Sequence, residues 1–246
     1  MELKGKIAVV TGGSRGIGRA IIEAFITAGA KVAFSYRENK TEADKVTAWI
    51  EENGGTGRGF QADVCDRAAV STMFTTVQQQ WGAVDILVNN AGINKPTDFD
   101  QITDEDWDAV LGVNLKGPFV VTQTALPFLR DGGSVIHIGS VSGQYGGPRT
   151  AHYAASKAGL ISLGQVIGRF LAPRGIRSNT LAAGLVQSEM AAAGLQSPAV
   201  QKALEGIPLG RMGSPAEIAQ TVVFLGSDAS RYITAQTINV NGGLYF

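Results

Sequence analysis

Lys6-Ile-Ala-Val-Val-Thr-Gly-Gly-Ser-Arg-Gly-Ile-Gly18 is the stretch that decides the fold. Lys6 to Val10 is a short apolar run that stops at a glycine-rich turn, the pattern of a buried strand. Beyond the turn, Arg19 to Ala28 carries apolar residues at helical spacing and ends at Gly29, a helix stop. Strand, glycine turn and helix in that order bring backbone N–H groups and the positive end of a helix onto one point, where a phosphate is held. The glycines fall as Gly12-x-x-x-Gly16-x-Gly18, a spacing different from the Gly-x-Gly-x-x-Gly of many dinucleotide sites.

The same alternation continues through the chain. Apolar runs predict strands over 6–10, 32–36, 58–62, 84–89, 133–139, 176–181 and 236–240. Helical spacing predicts helices over 17–28, 41–53, 67–81, 103–113, 116–130, 152–172 and 215–226. Strands such as Val84-Asp-Ile-Leu-Val88 are continuously apolar rather than alternating, which places them in a parallel sheet covered on both faces. The expected fold is α/β: a single doubly wound Rossmann-type domain spanning residues 1–246. Ligands of such sheets bind beyond the carboxyl ends of the strands. Gly12, Asp63, Asn90, Ser140 and Gly184 all follow predicted strands, so one crevice collects them. Residues 187–213, rich in small side chains and carrying Pro198 and Pro208, are expected to form a lid over a substrate.

Composition narrows the function. Of 246 residues 44% are hydrophobic, and 21 basic residues balance 21 acidic ones. Neutrality argues against a nucleic-acid footprint or a polybasic membrane surface. The apolar run at 7–10 is too short for a signal peptide, and no run approaches a membrane span. A cytoplasmic enzyme is expected. The single Cys65 excludes an internal disulfide and reads as a buried, inert thiol. His137 and His152 are too few and too scattered for a metal site or a Ser/His triad.

Chemistry concentrates in Ser140 and in His152-Tyr-Ala-Ala-Ser-Lys157. Tyr153 and Lys157 stand at i and i+4, so on a helix both face one cleft. A free phenol keeps its proton to about pH 10. A neighbouring ammonium favours the phenolate and is expected to lower that value toward the useful range. Ser140, just past the apolar strand Ser134–Gly139, offers a hydroxyl to a substrate carbonyl. A Tyr-x-x-x-Lys pair alone also fits a helix surface; its company here is what gives it meaning.

Taken together, these motifs resemble the short-chain dehydrogenase/reductase family over essentially the whole chain. The matching residues are Thr11-Gly-x-x-x-Gly-x-Gly18, Asn89-Asn-Ala-Gly92, Asn114, Ser140 and Tyr153-x-x-x-Lys157. Thr11-Gly-Gly-Ser-Arg-Gly16, Ile207-Pro-Leu-Gly-Arg-Met-Gly213 and Val240-Asn-Gly-Gly-Leu-Tyr245 are most similar to the 3-oxoacyl-acyl-carrier-protein reductases. The resemblance implies a seven-stranded parallel sheet in the order 3-2-1-4-5-6-7. It also implies a catalytic tetrad of Asn114, Ser140, Tyr153 and Lys157. In that tetrad Tyr153 protonates the carbonyl oxygen and Ser140 holds it. Lys157 binds the nicotinamide ribose, and Asn114 holds a relay water or, alternatively, kinks a helix. Tyr145 joins Ser140 and Tyr153 on the substrate side, and Ser142 is an alternative hydroxyl. Implied cofactor contacts are Gly12, Ser14, Arg15, Gly16, Ile17, Gly18, Arg37, Asp63, Val64, Asn90, Ala91, Gly92, Tyr153, Lys157, Gly184, Val186 and Ser188. Asp63 matches the residue that hydrogen-bonds the adenine; it is equally placed to cap the helix near Arg67. Asn90 both lines the cofactor and ties the central sheet.

Arg37 follows the second strand where an acidic residue would grip the 2′-hydroxyl of NAD. With Arg15 it suits a 2′-phosphate, so NADP(H) is expected, although Glu38 follows at once. Two positions depart from the family pattern: Ala183-Gly184 replaces Pro-Gly, and Ser188 stands for Thr. Ala183 removes a fixed φ angle and leaves that loop less constrained. The resemblance further implies a homotetramer built on the helices near 116–130 and 152–172 and on the last strands. An acidic acyl carrier protein docked on Arg130, Arg169 and Arg174 is a further expectation. A small carbonyl or alcohol substrate is expected. The same residues serve a secondary-alcohol or sugar dehydrogenase, and a nucleotide-sensing regulator with a decayed site is the reading from another class.

Overall fold

The computed structural model describes residues 2–187 and 198–246. Seven strands form one parallel sheet in the order β3-β2-β1-β4-β5-β6-β7: β1 Ile7–Val10, β2 Lys31–Tyr36, β3 Thr56–Gln61, β4 Val84–Asn89, β5 Leu129–Ser140, β6 Arg177–Ala183 and β7 Thr237–Val240. The helices are α1 Gly16–Thr27, α2 Lys40–Glu52, α3 Arg67–Trp81, α4 Asp104–Leu111, α5 Gly117–Ala125, the single turn α6 Ser142–Tyr145, α7 Ala151–Leu171, α8 Pro198–Glu205 and α9 Pro215–Gly226.

Alternation along each strand divides the core into two layers. Ala8, Val10, Val32 and Phe34 point to the side covered by Ile21 and Phe25 of α1, Val46 and Ile50 of α2, and Val222 of α9. Ile7, Val9, Ala33 and Leu87 point to the other, under Val70 and Phe74 of α3, Val121 of α5 and Leu171 of α7. Both faces are covered, which is why the strands read as continuous apolar runs.

Two boundaries differ from the sequence reading by more than two residues. The helix expected over 116–130 ends at Ala125, because Pro127 lacks the N–H that the next turn needs. The strand expected over 133–139 begins earlier, at Leu129, with an irregular register against β4 near Val84. Between α4 and α5, residues Gly112–Lys116 form a π-helical turn, a widened geometry that recurs at functional sites.

Candidate active site

The glycine turn works by close approach. Gly12 has φ +66°, and a Cβ there would lie 2.8 Å from Ala91 Cα; a Cβ on Gly18 would lie 2.2 Å from Gly12 O. No other residue lets α1 sit so near the ends of β1 and β4. Thr11 and Asn90 lock the junction. Thr11 Oγ1 accepts from Asn90 N at 3.0 Å and Ala91 N at 3.1 Å, and Asn90 Nδ2 donates to Thr11 O and Gly12 O, each at 3.0 Å. The sheet-tying role of Asn90 is therefore direct. Side chains cap α2, α3, α4 and α9 at Asn39, Asp66, Thr103 and Ser214. The α1 N-terminus has no side-chain cap at Arg15 and no acid in its first turn, and the space at Gly16, where a Cβ would stand, is open for 4 Å. These features fit a pyrophosphate held by backbone N–H groups and a helix dipole.

Other expected cofactor residues divide into two groups. Ser14, Arg15 and Gly16 lie at the surface of the turn, while Ile17 packs against the core beneath it. Asp63 follows β3; its carboxylate accepts from Cys65 N at 2.8 Å, and Asp66 rather than Asp63 caps α3. Arg37 is half exposed and its Nε meets Glu38 Oε1 at 2.8 Å. Val64 and Val186 are buried, each in one of the two core layers. Gly184 is pressed on the C-terminal segment, with 2.7 Å from a Cβ to Asn241 Cα. Ser188, like the rest of 188–197 in the expected lid, lies outside the described residues; the described part carries α8.

Asn114 sits in the π-turn with no exposure. Its Nδ2 donates to Ile93 O at 2.9 Å and Ser156 Oγ at 3.1 Å, and its Oδ1 accepts from Ile93 N at 2.8 Å. A Cβ on Gly92 would stand 3.3 Å from that Oδ1 and 3.6 Å from Lys157 Nζ, so Asn114, Gly92 and Lys157 face one small gap. Lys157 Nζ donates to Ile138 O at 2.8 Å and lies 5.6 Å from the centre of the Tyr153 ring. Ser140, at the end of β5, accepts from Ser142 N at 3.1 Å, and its hydroxyl is near enough to the Tyr153 phenol to favour the phenolate. All four expected catalytic residues therefore converge.

Their electrostatics correct one expectation. Burial holds the Tyr153 phenol above its ordinary value, and only the Ser140 hydrogen bond opposes that. Burial also pushes the Lys157 ammonium down to about 8. Lys157 stands over the ring rather than at the phenol oxygen, so it does not lower Tyr153 in this state. A protonated Tyr153 beside a weakly held ammonium is a proton donor.

His137 and Cys65 lie outside this cluster and have structural surroundings. His137 is fully buried, bridges Asn89 Nδ2 and Ser178 Oγ at 3.2 Å each, and is pushed down to about 4, mainly by burial. Ser178 donates to Gly164 O, so the His137 Nε2 carries the proton. Cys65 is exposed, contrary to expectation, because it lies in the turn after β3. Its Sγ contacts Gly112 O at 3.3 Å, and partial burial with Asp63 nearby raises the thiol, which keeps it protonated and unreactive at neutral pH. Among the described residues no group of three or more His, Cys, Asp or Glu could hold a metal.

A doubly wound parallel sheet with a Ser, Tyr, Lys and Asn gathered at its carboxyl edge defines an oxidoreductase acting on alcohol or carbonyl carbons. The chain belongs to the short-chain dehydrogenase/reductase family: the family described as enoyl-(acyl carrier protein) reductase matches residues 12–245. It is 40% identical to the 3-oxoacyl-[acyl-carrier-protein] reductase FabG of Thermotoga maritima, with 99% of each chain covered. It is 43% identical to the FabG of Staphylococcus aureus over 98% of each. Among solved structures, a blue fluorescent protein from a metagenomic library in complex with NADPH superposes with TM-score 0.93 at 34% identity, covering 100% of both chains. A dehydrogenase/reductase from Sinorhizobium meliloti 1021 superposes with TM-score 0.94 at 35% identity, covering 100% of this chain and 97% of the other.

Proposed function

We propose that the protein is an NADPH-dependent reductase of ketones and that its substrate is a 3-oxoacyl thioester. The observation that carries this reading is the convergence of a protonated Tyr153, Ser140 and the Asn114–Gly92–Lys157 gap at one end of the sheet. The relatives that cover the whole chain at 40–43% identity are named for 3-oxoacyl reduction, which selects a ketone over the enoyl group in the matched family's name.

When bound, a dihydronicotinamide supplies the hydride. The residues supply position and protons. The Ser140 hydroxyl donates to the ketone oxygen and holds it near the phenol. Tyr153 transfers its proton to that oxygen as negative charge develops there. Lys157 Nζ would bind the ribose hydroxyls of the bound cofactor, favour the transient phenolate and return a proton to it. A water held by Asn114 Oδ1 would then restore the proton to Lys157. Arg15 and Arg37 would hold the 2′-phosphate, and Asp63 would accept from the adenine.

Phe119 on α5 and Val166 and Phe170 on α7 are large apolar side chains 44%, 56% and 67% exposed. They support a homotetramer closed on these two helices. No helix among the described residues is long and apolar enough to cross a membrane, in keeping with a cytoplasmic enzyme. Docking of an acyl carrier protein through Arg130 and Arg174 has less support. Arg130 Nε is 2.9 Å from Asp85, and Arg174 bonds Asp131, Leu126 O and Leu129 O. Both lie near the starts of β5 and β6, more than about 20 Å of strand away from Ser140.

The test is initial rates with NADPH and NADH over 3-oxoacyl thioesters, cyclic ketones and sugars. The proposal expects the highest kcat/KM for NADPH with a 3-oxoacyl thioester. Turnover only in the oxidative direction on sugars or secondary alcohols would replace it with a dehydrogenase.

A further inference from the structure

Strand register fixes where the last residues of the chain emerge. Ser140 pairs with Ala183, and Ala183 with Val240, so the end of β7 lies two strand spacings, about 10 Å, from the serine hydroxyl. Asn241 then folds the segment back. Its Oδ1 accepts from Gly243 N at 2.9 Å and its Nδ2 donates to Tyr245 O at 2.7 Å. The ring of Tyr245 returns across the end of β6 and stacks on Tyr145, with centroids 5.8 Å apart and planes at 30°.

Tyr145 is the last residue of α6, the turn that begins two residues past Ser140. That turn is pressed on α7 at Lys157: a Cβ on Gly143 would lie 2.6 Å from Lys157 C. The opposite side of the C-terminal segment meets the end of the lid region. Leu209 N donates to Gly242 O at 3.1 Å, and Pro208 lies against Gly243. Tyr145 remains 45% exposed, and neither ring belongs to the two core layers. The pair is therefore held rigidly from below and open above, beside the catalytic hydroxyls.

We propose that Tyr145 and Tyr245 form one aromatic wall of the substrate site and that Tyr245 determines specificity. The wall receives the group on the far side of the ketone: an alkyl chain or, preferably, an aryl ring. An offset ring pair presents an apolar face and edge on which a third ring continues the stack. This assignment rests on the ketone-reductase reading and adds to it the side of the substrate that Tyr245 touches.

The experiment compares N-acetylcysteamine thioesters of 3-oxobutanoate and 3-oxo-3-phenylpropanoate, which differ only in methyl against phenyl. Tyr245→Ala is expected to raise the ratio of KM values, phenyl over methyl, roughly 2- to 10-fold. Tyr145→Leu should raise it in the same direction from α6, and Tyr245→Phe, which keeps the ring, should restore the wild-type ratio. A ratio unchanged in both ring-deleting variants, or equal increases for both thioesters, would overturn the wall and leave Tyr245 as packing of the chain end. If the wild type turns over neither thioester, the reductase reading fails. Calorimetric affinities of the two thioesters for NADP⁺-loaded wild type and Tyr245→Ala then decide the wall by the same ratio.

Discussion

The two edges of the sheet are made by the same strands and are finished in opposite ways. At the amino edge, charges are matched. Asp85 on β4, 5% exposed, accepts from Ile7 N at 2.9 Å and meets Arg130 and Lys6. Arg177, at the start of β6, is held by neutral groups, Ser230 Oγ at 2.8 Å and Ser227 O, with Asp228 near enough to favour its charge. At the carboxyl edge, the matching stops. Lys157 is buried with no carboxylate beside it among the described residues, and its ammonium meets only the carbonyl of Ile138. The α1 terminus begins without a side-chain cap. An uncompensated buried charge and an uncapped helix end are features that a ligand can satisfy. Stability is concentrated at one edge and chemistry at the other.

The largest consequence is a pH dependence. Lys157 is lowered from 10.5 to about 8, which corresponds to about 3 kcal/mol of unfavourable burial of its charge. The unfolded chain binds more protons than the folded one between about pH 8 and 10.5. The ligand-free protein should therefore gain stability across that window relative to Lys157→Met, and the neutral variant should be the more stable of the two below pH 8. Denaturant melts of both proteins at pH 7 and pH 10 measure it. Parallel profiles would show that the carboxyl edge carries no such cost.

A smaller effect is expected at Arg37. Replacing it with Asp removes charge-assisted bonds to a 2′-phosphate, a loss of roughly 1.5–3 kcal/mol or about 10- to 150-fold in affinity. The ratio of NADPH to NADH dissociation constants should shift by that factor. An unchanged ratio would leave Arg37 committed to Glu38.

The smallest change, about 1–3 kcal/mol, belongs to the other edge. Asp85→Ala leaves the buried Ile7 N–H without its acceptor and Arg130 without its partner. Thermal melts should show the loss while KM for the ketone and cofactor stays put. A change in KM with unaltered stability would break the division between edges.

Much of this was readable in the chain. Continuous apolar strands gave the sheet its parallel, doubly covered character, and glycines at 12 and 18 marked where backbones touch. Tyr153 and Lys157 share a face as their spacing implies, and Asn114 and Ser140 join them as the family resemblance implies. What escaped was whatever depends on contacts between distant residues. Nothing near Asn114 announces a π-turn, because the turn is held by Ile93. The stop at the end of α5 is written in Pro127, but the apolar run from Leu126 to Leu129 suits either conformation and hides it. Tyr245 lies 100 positions from Tyr145, and only the register of β5, β6 and β7 brings them together. Arg174 reads as a surface cation until its three partners are seen. Spacing places Lys157 on the right face without fixing its distance from the phenol oxygen, so the expected fall of Tyr153 toward neutrality does not follow from it.

The most direct test of a proton donor at the carboxyl edge is Tyr153→Phe, assayed as NADPH oxidation with a 3-oxobutanoyl thioester. The ring, its packing and the cofactor cradle remain, and only the transferable proton is lost. We expect kcat to fall roughly 10² to 10⁴-fold, with NADPH binding and melting temperature close to wild type. A variant that keeps a tenth or more of wild-type kcat would place the acid elsewhere and contradict the account.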